Sequence, residues 1–203
     1  MASTARSQTS RQRVSKRTRT AFHEAGHAVL SASINDSPHL VSIRASGNSR
    51  GRSRYRFEAP PERLVQVHLA GFAAEELFVG RPPRQLFGEL GISIAVETTP
   101  AGASLAEFVT GSDQHLAVKA LLELGCARTD EALRAGVHRY YLAAKASLTS
   151  VWPAVRAAAE ALLKHSELDG AAFRRTIGMF DIYGPVSAVQ RAHDIRGTST
   201  PAV

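Results

Sequence analysis

The sequence predicts a mainly α, α+β fold: a helical domain with a small β-hairpin or sheet near its first helix. Three observations predict it. Apolar residues recur at three- and four-residue steps along several segments between residues 18 and 178, the spacing of one face of a helix. Alternation of aromatic and charged residues, the spacing of a strand, is confined to one stretch after the first of these segments. Apolar residues make up 44% of 203, enough for one domain with a core, and proline and glycine stay below the level of a disordered chain.

The elements follow in order. The first twenty residues, MASTARSQTSRQRVSKRTRT, hold six basic side chains and no acid, so they supply six of the seven net positive charges. Residues 1–17 read as a basic disordered tail without the apolar run of a signal peptide. A helix is expected from about Thr18 to Ala32, with Thr18 or Thr20 as cap and Asn35, Asp36, Ser37 and Pro38 as its end. HLVSIRA, from His39 to Ala45, reads as a strand, SGNSRGRSR as a turn, and YRFEA, from Tyr55 to Ala59, as a second strand. The two make a hairpin, and arginines suit a sheet edge because charge discourages unwanted pairing.

Pro61 to Gly80 forms the second strong helix, with Gly71 inside it at a cost of about 1 kcal/mol relative to alanine. A close helix crossing would account for that glycine. Residues 81–110 show no steady period and read as loop with one or two short elements. Further helices are expected over Ser112 to Gly125, Asp130 to about Ser147, and VWPAVRAAAEALLKH with Pro153 in its first turn, then a short one in LDGAAFRRTIG. Residues 179–203 read as an irregular C-terminal tail.

Several classes of function are excluded or disfavoured. No run of about eighteen apolar residues exists, so no membrane-spanning helix is expected. No G-x-x-x-x-G-K-[ST] loop occurs, so no ATPase of its own is expected. The single cysteine, Cys126, cannot pair within the chain and sits among apolar residues, which suits a buried, inert thiol and a cytoplasmic location. The basic tail is the main feature that would suit nucleic acid, and no nucleic-acid motif accompanies it.

The chemistry centres on AFHEAGHAVLSA. Residues four apart lie above one another on a helix, so His23 and His27 can present two imidazoles to one metal ion. Glu24 projects beside them as the general base of an H-E-x-x-H pattern. Zinc in a catalytic site takes a third protein ligand and keeps a fourth position open. The residues alone offer Glu75, Glu76, Asp113, His115 and, less readily, His68 as that third ligand.

HEAGHAVL resembles the zinc motif of the FtsH family, the membrane-bound AAA+ zinc proteases. AGFAAEELFVG resembles that family's second motif and TGSDQHLAVKA its third, while VWPAVRAAAEALLKHSELDGAAF resembles the end of its peptidase domain. The likeness runs in order over about residues 18–178. It implies an FtsH-like zinc peptidase domain there, lacking the motor and transmembrane helices. It further implies zinc on His23, His27 and Asp113, Glu24 as general base, and Glu75 as a structural neighbour of the ligands; His115 stands as the alternative ligand. The expected activity is a zinc-dependent endopeptidase acting on peptides or unfolded segments, working alone, as a homo-oligomer or with a separate unfoldase. The competing expectation is a catalytically inactive protein of the same fold that acts as a binding module.

Overall fold

A computed structural model describes residues 14–34, 37–45, 51–54, 59–81, 112–126 and 129–182. They form α1 (Lys16–Ser33), β1 (Leu40–Ser42), β2 (Arg52–Arg54), α2 (Pro61–Val79), α3 (Asp113–Glu123), α4 (Asp130–Ser150), α5 (Trp152–His165), β3 (Glu167–Asp169) and α6 (Gly170–Ile177). The expected fold class holds: six helices among the described residues, with a small antiparallel sheet beside α1.

α1 starts two residues before the expected Thr18. Its cap is Ser15, whose hydroxyl accepts from the Thr18 N–H at 3.1 Å, so Lys16 and Arg17 belong to the helix. Arg17 reaches the Leu163 carbonyl at 2.8 Å and the Ser166 hydroxyl at 3.0 Å, tying the start of α1 to the end of α5. The opposite ends of the other helices follow familiar chemistry. Pro61 opens α2, where a missing N–H costs nothing, and Gly80 closes it at φ 76°. Thr129 and Asp169 cap α4 and α6 through the N–H groups of Ala132 and Ala172.

The sheet order is β2-β1-β3, both pairings antiparallel. Here the expectation needs correction. The second strand lies at Arg52–Arg54, in the stretch read as a turn, and Ala59 stands in a bend; residues 55–58 lie outside the described residues. Pairing with β1 sets its place, with Val41 opposite Ser53, and local alternation of side chains carries no such information. β3 was not expected at all. Three residues form it by pairing Val41 with Leu168, a contact more than a hundred positions apart in the chain.

The core joins α1, α2, α4 and α5. Ala21, Ala25, Ala28, Val29, Leu69, Ala73, Leu148, Val155 and Leu162 are all fully or nearly fully buried in it. Phe22 stacks on Phe78 with ring centroids 3.8 Å apart, and on Trp152 at 5.7 Å. The small residues let α1 and α2 approach closely. A methyl on Gly26 would lie 2.6 Å from the Ala74 Cβ and 2.7 Å from the Ala70 carbonyl oxygen. Gly26, inside the H-E-x-x-H segment, is therefore the residue that permits the close crossing. Past α6, Phe180 packs on the core and Ile182 is buried in it. The expected tails over residues 1–13 and 183–203, and the stretch 82–111, lie outside the described residues. Cys126 is half-buried and not fully buried as expected, with its thiol 3.6 Å from the Ala132 carbonyl.

Candidate metal centre

α1 and α2 meet in opposite senses, so that His23 faces Glu75 and His27 faces Val67. The Val67 carbonyl lies 2.6 Å from His27 Nδ1, and a Glu75 carboxylate oxygen 2.9 Å from His23 Nδ1. A carbonyl and a carboxylate can only accept, so each Nδ1 carries a hydrogen and each Nε2 is the atom left for a ligand. Between these contacts lies Gly71. A methyl there would stand 2.6 Å from His23 Nε2 and overlap His27 Nε2 as well. Gly71 makes room for two imidazoles of α1, so the close helix crossing expected of it is met through side chains. Phe72 stands edge-on to His23 at 5.2 Å and limits the ring's swing.

Asp113 arrives from α3. It sits in the helix's first turn, after the cap Ser112, whose hydroxyl accepts from the His115 N–H. One Asp113 oxygen lies 2.9 Å from His23 Nε2 and 3.3 Å from His27 Nε2, and the two nitrogens lie 3.1 Å apart. A tetrahedral ion with bonds of about 2.0–2.1 Å sets its ligand atoms about 3.3 Å apart. The three donors therefore already have nearly the spacing of three corners of such a site, and two imidazoles with one carboxylate suit zinc. Among the described residues, this is the cluster of histidine and acidic donors able to hold a metal ion. The Asp113 side chain is 29% exposed against 6% for His27, so the aspartate is the more accessible of the two.

Electrostatics bind the cluster together. Burial works against a charged His23, but hydrogen bonds to Asp113 and Glu75 outweigh it and raise the imidazole to about 10. Burial likewise opposes charge on Asp113, and the two histidines overcome it and hold the carboxyl far below its usual range. Asp113 is thus ionised, the state a metal requires of it, while His23 without a metal is protonated at Nε2 as well and would release that proton to bind an ion.

Glu24 is 6% exposed and close enough to His23, His27 and Asp113 to feel their charges. Burial pushes its carboxyl up, against the pull of the histidines and of Ser53. The Ser53 hydroxyl donates to one carboxylate oxygen at 2.8 Å, and a methyl on Gly51 would lie 2.5 Å from the other. The start of β2 is thereby seated on Glu24. Sequence reading missed Gly51 and Ser53, which lie in a stretch without period, and Arg19, which donates twice to Glu75.

The remaining candidates separate clearly. Glu75 touches His23 from outside the donor triangle. Glu76 turns the other way, to Tyr141 and Lys145 on α4. His68 is buried on α2, and burial with the nearby His27 lowers it to about 4; neither it nor His115 is among the clustered donors.

Over 164 residues the chain is 30% identical to the ATP-dependent zinc metalloprotease FtsH 1 of Symbiobacterium thermophilum. The match covers 76% of this chain and 28% of that protein. The chain is thus a distant relative of an FtsH-type zinc metalloprotease and spans little more than a quarter of its length. No protein-family model matches the chain. No helix among the described residues is long and apolar enough to cross a membrane.

Proposed function

We propose that residues 18–178 form a zinc-dependent endopeptidase domain that hydrolyses peptide bonds in peptides or unfolded segments. The donor triangle of His23, His27 and Asp113 carries this reading, because its spacing matches the ion. His23, His27 and Asp113 would hold the zinc. Bound there, it would act as a Lewis acid that polarises a carbonyl and makes water a better nucleophile near neutral pH.

The chain's own residues supply the rest. Glu24 takes a proton from the attacking water and returns it to the leaving amine, which suits a carboxyl pushed up by burial. Ser53 donates to one oxygen of that carboxylate and so holds its orientation. Among the described residues β2 is an edge strand, and its start rests on Glu24, so an extended segment paired along it would bring its backbone to the site. Such recognition favours loose termini and unfolded chains. Within these 203 residues there is no nucleotide loop, so opening folded substrates would fall to a separate unfoldase partner, whether the chain acts alone or as a homo-oligomer. A cytoplasmic location accords with the lone free cysteine.

The test is Glu24→Gln. The variant is expected to bind one zinc per chain as the parent does and to lose cleavage of an unfolded protein by at least about a hundredfold. Cleavage at the parental rate would sink the mechanism. Zinc binding by the parent in less than stoichiometric amount would sink the site.

A further inference from the structure

Glu75 divides its two oxygens between two partners. Oε1 faces His23 Nδ1 at 2.9 Å, and Oε2 receives both Nε and Nη2 of Arg19, at 3.0 and 2.6 Å. Arg19 lies four residues before His23, one turn earlier on the same face of α1. The carboxylate on α2 is thus held by two side chains of α1, one charged and one a ligand candidate. An isolated exposed ion pair does little for stability, and the Arg19 side chain is 44% exposed. Its geometry does something more specific. With Oε2 held by Arg19 and Oε1 by His23, a turn of the carboxylate that swapped its oxygens would break both sets of contacts.

The geometry points to Arg19 as a positioning residue for metal binding, resting on the proposed zinc site. Arg19 clamps Glu75, Glu75 holds the His23 ring, and the ring then directs Nε2 at the place shared with His27 and Asp113. The partner groups of a ligating histidine fix its tautomer and orientation, and their loss usually weakens metal binding by about 10- to 100-fold. Arg19 acts one step further out, so the lower end is expected.

The experiment is a zinc competition titration against a chelator on the full chain, for Arg19→Ala, Glu75→Gln, the pair together, and Arg19→Lys. Arg19→Ala is expected to weaken zinc about tenfold and Glu75→Gln by at least as much. If Arg19 works through Glu75, adding Arg19→Ala to Glu75→Gln weakens zinc no further. Arg19→Lys, which keeps the charge, recovers part of the loss. The absorption spectrum of bound cobalt(II) should shift in Arg19→Ala, since the His23 ring is no longer held at one angle; a purely structural role would leave it unchanged. Unfolding measured with chelator present separates loss of fold from loss of binding. Unchanged affinity and spectrum in Arg19→Ala, or losses that simply add in the pair, overturn the inference while leaving the zinc site standing. A parent chain that binds no zinc overturns both, and that result is read from the parent alone.

Discussion

Glu75 and Glu76 are neighbours on α2, yet they serve opposite sides of the molecule. Glu75 faces α1 and ends on His23 and Arg19. Glu76 faces α4, where it accepts from the Tyr141 hydroxyl and from Lys145 at 2.9 Å. Both carboxyls are held below their usual range, burial being overcome by the donors on each. On the α1 side the charges converge on a place for a cation. On the α4 side the carboxylate meets a phenol and an ammonium, and no second metal-ligating side chain joins them among the described residues. The difference teaches that a perturbed acid marks chemistry only where its partners leave a position unfilled.

Four measurements test this division. Removing zinc with a chelator should lower the unfolding free energy by about 4 kcal/mol when free zinc had been a thousandfold above its dissociation constant. A chain equally stable with and without zinc would place no cation on the α1 side. Gly71→Ala puts a methyl against both imidazoles. It should weaken zinc more than about a hundredfold, read by the same competition titration, and parental affinity would show that the rings are not confined as described.

Glu76→Gln should instead cost about 2 kcal/mol of stability, read by urea unfolding, with zinc affinity within about threefold. Its pH dependence has a definite sign. A depressed carboxyl contributes stability above its unfolded value of 4.5 and loses it as pH falls through the lower folded value. Tyr141 is raised from 10, chiefly by burial and the Glu76 bond, so its contribution is present below 10 and lost as pH rises through the folded value. The stability gap between parent and variant should therefore be flat between pH 4.5 and 10 and shrink outside that window. Last, Ser53→Ala removes one hydrogen bond to Glu24 and should lower kcat about fivefold with zinc retained. A kcat equal to the parent's would release β2 from any part in holding the base.

What was legible in the sequence tracks the distance between interacting residues. His23, Glu24 and His27 could be placed from one turn of helix, because four-residue spacing is itself the geometry. Ser112 and Asp113 were legible as a cap and first-turn acid, but the meeting of Asp113 with His23, ninety positions away, came only from the likeness to FtsH proteases. The helices were legible for the same local reason. β2 was placed a few residues late and β3 was missed, since both are three-residue strands defined by their partner and not by their own pattern. The two glycines show the limit best. Gly71 was noticed as an anomaly and assigned to a close helix crossing without the two imidazoles it accommodates, while Gly26, which lets the backbones touch, was hidden inside a motif read for its histidines.

Val67, Gly71 and Glu75 follow one another at four-residue intervals, giving α2 a carbonyl, a gap and a carboxylate along a single stripe. That stripe works by counting. One residue inserted between Val67 and Glu75 would swing the later members about a quarter-turn around the helix axis. The carboxylate would leave the histidine even though every amino acid type was kept. This nine-residue span is a ruler, and its length carries as much of the site as its side chains do.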